Sequence, residues 1–166
     1  MNIRLGLLAV TTFLLAARIG AADETQKPSP LVGTWTLVAA DVLRPDGTRA
    51  RDYGKDPRGV LFIDASGRYS LQIFDSSRPR FASGDKARGT ADEYRAAVMG
   101  SSTHFGTITV DASKSEFILM PEGASYPNQE GKLQKRAYEL TGDQLSYKVA
   151  PRPDGTIPIS VWKRLN

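Results

Sequence analysis

Apolar and polar residues alternate along most of this chain, in the pattern of β-strands. The clearest case is residues 69–73, where Tyr69, Leu71 and Ile73 are separated by polar residues. Because side chains along a strand point to opposite faces in turn, this period of two predicts one buried face and one solvated face. Turn signals rich in Gly, Pro and Asp separate several similar segments. The pattern predicts eight strands, at residues 32–43, 59–63, 69–73, 103–110, 116–120, 133–140, 145–149 and 157–164.

One segment has the signature of a helix instead. Thr90 and Glu93 have the spacing of a capping box, in which each side chain accepts a hydrogen bond from a backbone N–H of the first turn. Apolar residues then recur at helical spacing, and Gly100 is expected to end the helix. The sequence therefore predicts a single short helix over residues 91–99, between the third and fourth strands.

The spacing of the strands indicates how they pair. Short strands joined by tight turns form an antiparallel meander, and a meander hides its edges by closing into a barrel. We therefore predict an all-β, antiparallel, up-and-down barrel of eight strands over residues 31–166. A β-sandwich fits the same local pattern and stays an alternative. Eight strands leave an interior just wide enough for side chains or one small ligand.

The first thirty residues have a different composition. Residues 1–4 form a short basic segment, and residues 5–17 are apolar. Small residues then precede a cleavage point expected after Ala22. This order is typical of a secretory signal peptide, and the apolar run is short for a membrane span. An uncleaved anchor is the alternative. Residues 23–30 form a polar linker. We expect an exported protein, periplasmic or extracellular, without stable membrane insertion.

The composition excludes several kinds of chemistry. The chain contains no Cys and one His, so disulfides, thiol chemistry and ordinary zinc or haem–thiolate sites are excluded. No phosphate-binding loop, dinucleotide fingerprint or nucleophile elbow is present. A formal net charge of +4 favours neither nucleic acid nor a membrane surface as a partner. We assign no catalytic residues, no metal site and no cofactor.

Short motifs along nearly the whole chain carry a further signal. They lie at residues 31–35, 67–70, 78–82, 89–94, 105–107, 122–123, 127–128, 134–136, 142–145 and 161–164. The first of them contains a Gly-x-Trp, the usual start of a lipocalin-like barrel. In this order and spacing, the motifs resemble the bacterial lipocalin-like domain family, whose members are calycin-type β-barrels.

The resemblance implies how the barrel closes. The first and last strands are then neighbours, and Gly33 and Trp35 lie at the closed end. Arg164 is expected to stack over Trp35 as a cation–π contact, a structural role. The helix at residues 91–99 is expected to cover the other opening.

The chain also departs from the family pattern at positions expected near the pocket. Family members usually have His where this chain has Met120, and often Trp where it has Gln129. They have aromatic residues where this chain has His104 and Ile108. The resemblance therefore does not transfer the family's pocket chemistry to this chain.

Two sets of residues are candidates for contact with a ligand. Tyr69, Leu71 and Ile73 share one strand face and are expected either to line the barrel cavity or to pack in its core. His104 is the only side chain with an ordinary pKa near neutrality. It is either a hydrogen-bonding or acid–base group in the cavity, or a satisfied core histidine.

Arg136 alternates with Tyr138, which places a charge on an inward face. A buried arginine is costly unless it is paired. We therefore expect a carboxylate partner for it, Glu116 or Glu122, or else an anionic ligand.

Three functions fit these observations. The first is a binding protein that holds a small hydrophobic or amphipathic molecule, with His104, Arg136 and Tyr138 orienting its polar end. The second is a cyclase- or isomerase-type enzyme in which His104 works with Glu116 or Glu122. The third is an interaction or stress protein whose barrel is filled by its own side chains.

Overall fold

The computed structural model describes residues 28–165. The predicted signal peptide, residues 1–22, and most of the predicted linker lie outside them. Within the described residues, no helix has the length and hydrophobicity needed to cross a membrane. The elements in this range are β1 (Gly33–Leu43), β2 (Arg49–Arg51), β3 (Arg58–Ile63), β4 (Arg68–Phe74), α1 (Ala91–Met99), β5 (Ser101–Asp111), β6 (Glu116–Ala124), β7 (Gln134–Thr141), β8 (Gln144–Lys148) and β9 (Ile157–Leu165), with 3₁₀ turns at Lys86–Arg88 and Pro127–Gln129.

Pairing between the first and last strands closes the sheet into a barrel. Each strand from β3 to β9 pairs antiparallel with the next, and β1 pairs with β3 on one edge and β9 on the other. The β1–β9 ladder runs from Thr34 opposite Leu165 to Leu43 opposite Ile157. The predicted eight-stranded antiparallel barrel is therefore confirmed, with α1 between its third and fourth strands. The sandwich alternative is wrong, because a sandwich lacks this closing pair.

The short strand β2 was not predicted. It continues the edge of β1 beyond β3, where Arg49 and Arg51 lie opposite Leu43 and Asp41. Both arginines reach the Asp41 carboxylate, at 3.1 and 2.9 Å. This strand has three residues and no apolar alternation, so ion pairs and backbone hydrogen bonds define it and hydrophobic periodicity cannot reveal it.

A β-bulge changes the inward face of β1 partway along its length. The register with β9 shifts between Leu37 and Ala39, so the buried positions are Trp35 and Leu37, then Ala40 and Val42. The extra residue lets the long strand bend around the barrel. A strict period of two would have placed Ala39 inside instead.

Large apolar side chains fill the half of the barrel that begins at the start of β1. Leu31, Trp35, Leu145 and Trp162 are completely buried there. The Trp35 indole N–H donates to the Leu31 carbonyl at 3.0 Å, so this buried polar group is satisfied. We call this end the floor of the barrel.

Arg164 ties the last strand to the floor. Its guanidinium carbon lies 4.0 Å from the centre of the Trp35 ring, the stacking that the family resemblance implied. Its terminal nitrogens donate to the carbonyls of Val32 and Pro30, at 2.5 and 2.7 Å. Gly33 has a φ of 140°, and a Cβ there would lie 2.7 Å from the guanidinium. A glycine is therefore required where the chain passes under Arg164.

Candidate functional site

The half of the barrel opposite the floor contains a cavity of about 1120 Å³. Its mouth is bordered by α1, by the loop after β4, and by the β6–β7 and β8–β9 loops. The floor side chains do not reach it, so the barrel is packed at one end and open at the other. Its wall includes Leu71, Ile73, His104, Arg136, Tyr147 and Ser160.

Helix α1 is held at the mouth by its first turn. The Thr90 hydroxyl accepts from the Glu93 N–H at 3.2 Å, and the Glu93 carboxylate accepts from the Thr90 N–H at 2.7 Å. The same carboxylate also accepts from the Ala82 N–H, which fixes the preceding loop to the helix. The last turn leaves Val98 and Met99 on the rim of the cavity, with Met99 66% exposed.

His104 is a buried, uncharged wall residue with one hydrogen-bond partner. It is 5% exposed, and its Nδ1 lies 2.8 Å from the Tyr69 hydroxyl. Burial, and then the nearby charge of Arg136, lowers the pKa of His104 to about 4. Burial also raises the pKa of Tyr69, so this hydroxyl keeps its proton. The pair therefore offers neutral hydrogen-bonding groups at neutral pH.

Arg136 is the least compensated charge in the cavity wall. It is 6% exposed, and one terminal nitrogen donates to the Gln134 side chain at 2.5 Å. Its guanidinium carbon lies 5.1 Å from the centre of the Tyr147 ring. Among residues 28–165, no carboxylate lies within ion-pair distance of it, and its Nε–H is buried without a hydrogen-bond partner.

The expected carboxylate partners are wrong. Glu122 forms an ion pair with Arg68 at 2.5 Å, and Glu116 forms one with Lys135 at 2.8 Å. Both glutamates flank inward-facing residues of β6, so their own side chains point away from the barrel interior. Neither Arg136 nor His104 is therefore paired with them. The second expectation for Arg136, an anionic ligand, stays open.

The six predicted ligand contacts fall into two groups. Leu71, Ile73, His104 and Arg136 line the cavity, whereas Tyr69 and Tyr138 are buried outside its wall. Tyr69 still reaches the site through its hydrogen bond to His104.

Tyr138 belongs to the filled part of the barrel and packs beside Phe117, with ring centres 6.0 Å apart. The prediction that Tyr138 orients a ligand therefore has no support in its position.

Tyr147 is a wall residue that sequence reasoning left without a role. It is 4% exposed and packs edge-on against Phe117 at 5.3 Å between ring centres. Within the described part of the chain its hydroxyl has no hydrogen-bond partner. The alternation of Leu145, Tyr147 and Val149 did indicate an inward side chain. Its nearness to Arg136 depends on the β7–β8 register, in which Tyr147 lies opposite Tyr138.

The other two arginines of the wall lie at the mouth and are already engaged. Arg152 forms a two-pronged ion pair with Asp52, at 2.5 and 3.0 Å. Arg78 donates to the Asp75 carbonyl at 2.9 Å and stacks over Phe74 at 4.6 Å. Arg136 therefore lies inside the cavity without a carboxylate partner, whereas the mouth arginines are held in place by Asp52 and by the Asp75 carbonyl with the Phe74 ring.

With this geometry established, comparison with known proteins identifies the family. A sequence profile of the family described as "lipocalin-like domain" matches residues 32–165. The chain belongs to the lipocalin-like domain family. A barrel of this family is of the ligand-binding type. No curated protein matches the sequence significantly.

Among solved structures, the chain is similar to a lipocalin-like protein from Bacteroides uniformis. The two share 16% identity, with 81% of this chain and 98% of the other covered and a TM-score of 0.43.

The structure also shows where two departures from the family pattern, Met120 and Gln129, lie relative to the cavity. Met120 lies between the buried residues Leu119 and Pro121 of β6 and is not part of the cavity wall. Gln129 lies in the β6–β7 loop and lines the mouth. A histidine at position 120 would point away from the cavity, so its replacement by Met leaves the wall unchanged.

Proposed function

We propose that this lipocalin-like protein is an exported binding protein that holds one small, largely apolar or amphipathic molecule in the open half of its barrel. The main support for this proposal is the cavity itself. Pockets for small molecules occupy about 300–1,000 Å³, and this cavity reaches about 1120 Å³. A barrel filled by its own side chains would leave no such space.

The distribution of wall residues supports an amphipathic occupant. Ile73, Val98 and Met99 supply apolar surface near the mouth. His104 and Arg136 supply buried polar groups farther inside. A few polar groups within a concave, partly apolar site are the usual means of orienting a small ligand.

An enzyme reading has less support. The general acid–base pair that it needs, His104 with Glu116 or Glu122, is not formed, since both glutamates pair with cations elsewhere. His104 is also uncharged at neutral pH, because burial lowers its pKa to about 4.

The binding proposal is tested with the uncharged fluorophore N-phenyl-1-naphthylamine. Its fluorescence is expected to rise when it is mixed with the protein lacking residues 1–22, and native mass spectrometry is expected to show one molecule bound per chain. No fluorescence rise, together with no adduct of 1-dodecanol in native mass spectrometry, would overturn the proposal.

A matched pair of variants locates the binding. Ser160 is buried in the cavity wall, so Ser160→Phe places a ring in the cavity and is expected to weaken binding of the probe at least tenfold. Ser146 lies between the inward-facing Leu145 and Tyr147, so Ser146→Phe places the same ring on the outer face. That control is expected to bind as the wild type does. Equal binding by both variants would show that the probe binds outside the barrel cavity.

Export rests on the composition of residues 1–22 alone. Expression of the full chain in a bacterium with a periplasm is expected to yield a periplasmic protein whose first residue is Asp23. A full-length product that stays in the membrane fraction would instead support the uncleaved anchor.

A further inference from the structure

A short segment between β2 and β3, residues 52–54, lies at the mouth of the barrel. We call it the strap. Asp52 and Tyr53 line the cavity, and Tyr53 is partly buried against the apolar core. The strap begins directly after β2, where the Asp52 backbone N–H donates to the Ala40 carbonyl of β1 at 3.0 Å. Its first residue is therefore fixed to the rim, and the side chains that follow face the cavity.

One end of the strap is held by an ion pair. The Arg152 guanidinium donates to both oxygens of the Asp52 carboxylate, at 3.0 and 2.5 Å. Arg152 belongs to the β8–β9 loop, 100 residues further along the chain. Two-pronged pairs of this kind are among the stronger hydrogen bonds in proteins. The Asp52 side chain is 15% exposed and that of Arg152 is 40% exposed, so the pair can separate without opening the core.

The other end of the strap rests on β4 and β5. Burial and the nearby charge of Asp52 raise the pKa of the Tyr53 hydroxyl, and its hydrogen-bonding neighbour Ser102 opposes this shift. Because Ser102 belongs to β5, the Tyr53 side chain extends to that strand. Gly54 then passes so close to Asp75, which follows β4, that a Cβ on Gly54 would lie 2.6 Å from the Asp75 carboxylate. The strap therefore contacts both strands at the mouth.

The order of the strands shows that these contacts span the opening. Around the closed sheet, three strands lie between β5 and β9 in either direction. The β8–β9 loop and β5 are therefore on roughly opposite sides of the mouth. The contacts lead from Arg152 in that loop, through Asp52 and Tyr53, to Ser102 on β5. A molecule that enters the cavity through the mouth has to pass this line.

We propose that the strap is a gate, kept closed by the ion pair between Arg152 and Asp52, and that it sets how fast a ligand enters and leaves the barrel. This inference rests on the proposed binding function and concerns the regulation of that site. The gate closes over the empty and the occupied cavity alike, so a weaker ion pair speeds entry and exit together. The dissociation constant, which is the ratio of the two rate constants, then changes little.

The test measures rates as well as affinity. Stopped-flow mixing of N-phenyl-1-naphthylamine with protein lacking residues 1–22 gives both rate constants, from the dependence of the observed rate on protein concentration. Asp52→Asn keeps the size of the side chain and removes its charge. It is expected to raise both rate constants about fivefold, the factor for an ion pair worth about 1 kcal/mol, and to change Kd by less than about twofold.

A double-mutant cycle assigns the effect to the pair. Arg152→Gln alone is expected to speed exchange as much as Asp52→Asn does. The two changes together should add nothing further, because either one already breaks the pair. The matched control is Glu122→Gln, which breaks the two-pronged pair between Arg68 and Glu122 on the outer face. It is expected to leave both rate constants unchanged.

Salt provides a readout on the wild type itself. Raising the NaCl concentration from about 0.02 to 0.5 M screens a partly exposed ion pair, whereas the probe carries no charge. Both rate constants of the wild type are expected to rise with salt. Those of Asp52→Asn are expected to stay level, and this variant also provides the baseline for any effect of salt on the probe.

The outcomes separate the gate from the function on which it rests. If Asp52→Asn exchanges the probe at the wild-type rates, the gate is wrong and the binding function stands. The same holds if only dissociation speeds up and Kd rises in proportion, because Asp52 would then act as an ordinary wall residue. Additive effects in the double variant would also overturn the gate. If the probe does not bind at all, both proposals are wrong. Should Asp52→Asn not fold, Arg152→Gln and the wild-type salt series decide the question.

Discussion

Replacing Arg136 with Met should stabilise the protein when no ligand is present. The guanidinium is 6% exposed and has no carboxylate partner among the described residues. Removing it ends an effective desolvation cost of several kcal/mol per buried ion. The change also loses the hydrogen bond to Gln134, about 1.5–3 kcal/mol, and the contact with Tyr147, about 1 kcal/mol. We expect a net gain of about 1 kcal/mol in the free energy of unfolding, within the range seen when buried ions are replaced by apolar residues.

Urea unfolding of ligand-free protein lacking residues 1–22 measures this change. Trp35 and Trp162 are completely buried at the floor, so their fluorescence reports the loss of the barrel. The matched control is Arg164→Met, which loses the Trp35 stacking and two carbonyl hydrogen bonds and should be destabilised by about 2–4 kcal/mol. A loss of more than about 1 kcal/mol in Arg136→Met would refute the reasoning, because Arg136 would then be a structural residue.

Three further predictions concern His104, the floor and the helix. Because burial and Arg136 lower the pKa of His104 to about 4, the free energy of unfolding should fall by up to about 3 kcal/mol as the pH falls from about 6.5 to 4. Urea titrations at each pH measure this fall, and it should be smaller by that amount in His104→Gln. Gly33→Ala should lower the melting temperature by several degrees, because a Cβ there would lie 2.7 Å from the Arg164 guanidinium, and an unchanged melting temperature would contradict that crowding. Thr90→Ala should destabilise α1 by about 1 kcal/mol through loss of its N-cap, seen as faster amide exchange over residues 91–99 with strand exchange as the control; equal exchange would show that the cap is unimportant.

The period of two predicted the barrel strands and most of their inward faces, and the closely spaced meander with the family resemblance favoured a barrel over a sandwich. Leu71, Ile73, His104 and Arg136 occupy positions that alternate with outward residues, and all four line the cavity. Helix α1 begins and ends where its capping box and Gly100 predicted, because caps are local in sequence. Most strands and the helix could therefore be predicted from local sequence signals.

The partners of these side chains depend on contacts between strands, which alternation does not encode. Glu116 and Glu122 were expected as partners of Arg136 because of their charge alone, without asking which face of β6 each of them occupies. Both flank the inward positions of β6, so the same period of two could have excluded them. The nearness of Tyr147 to Arg136 instead needed the β7–β8 register, which depends on the whole barrel.

The bulge between Leu37 and Ala39 was equally beyond local pattern. It moves the inward face of β1 by one residue, and no Gly or Pro within that segment marks it. Its cause is the bending of a long strand around a closed sheet, which exists only once the barrel forms. The position of Ala40 in the core therefore follows from the barrel as a whole.

A crystal structure of the complex with N-phenyl-1-naphthylamine tests the proposed function most directly. We predict one molecule in the cavity, with its rings against Ile73, Val98 and Met99. A molecule bound only on the outer surface, with none in the barrel, would contradict the proposal.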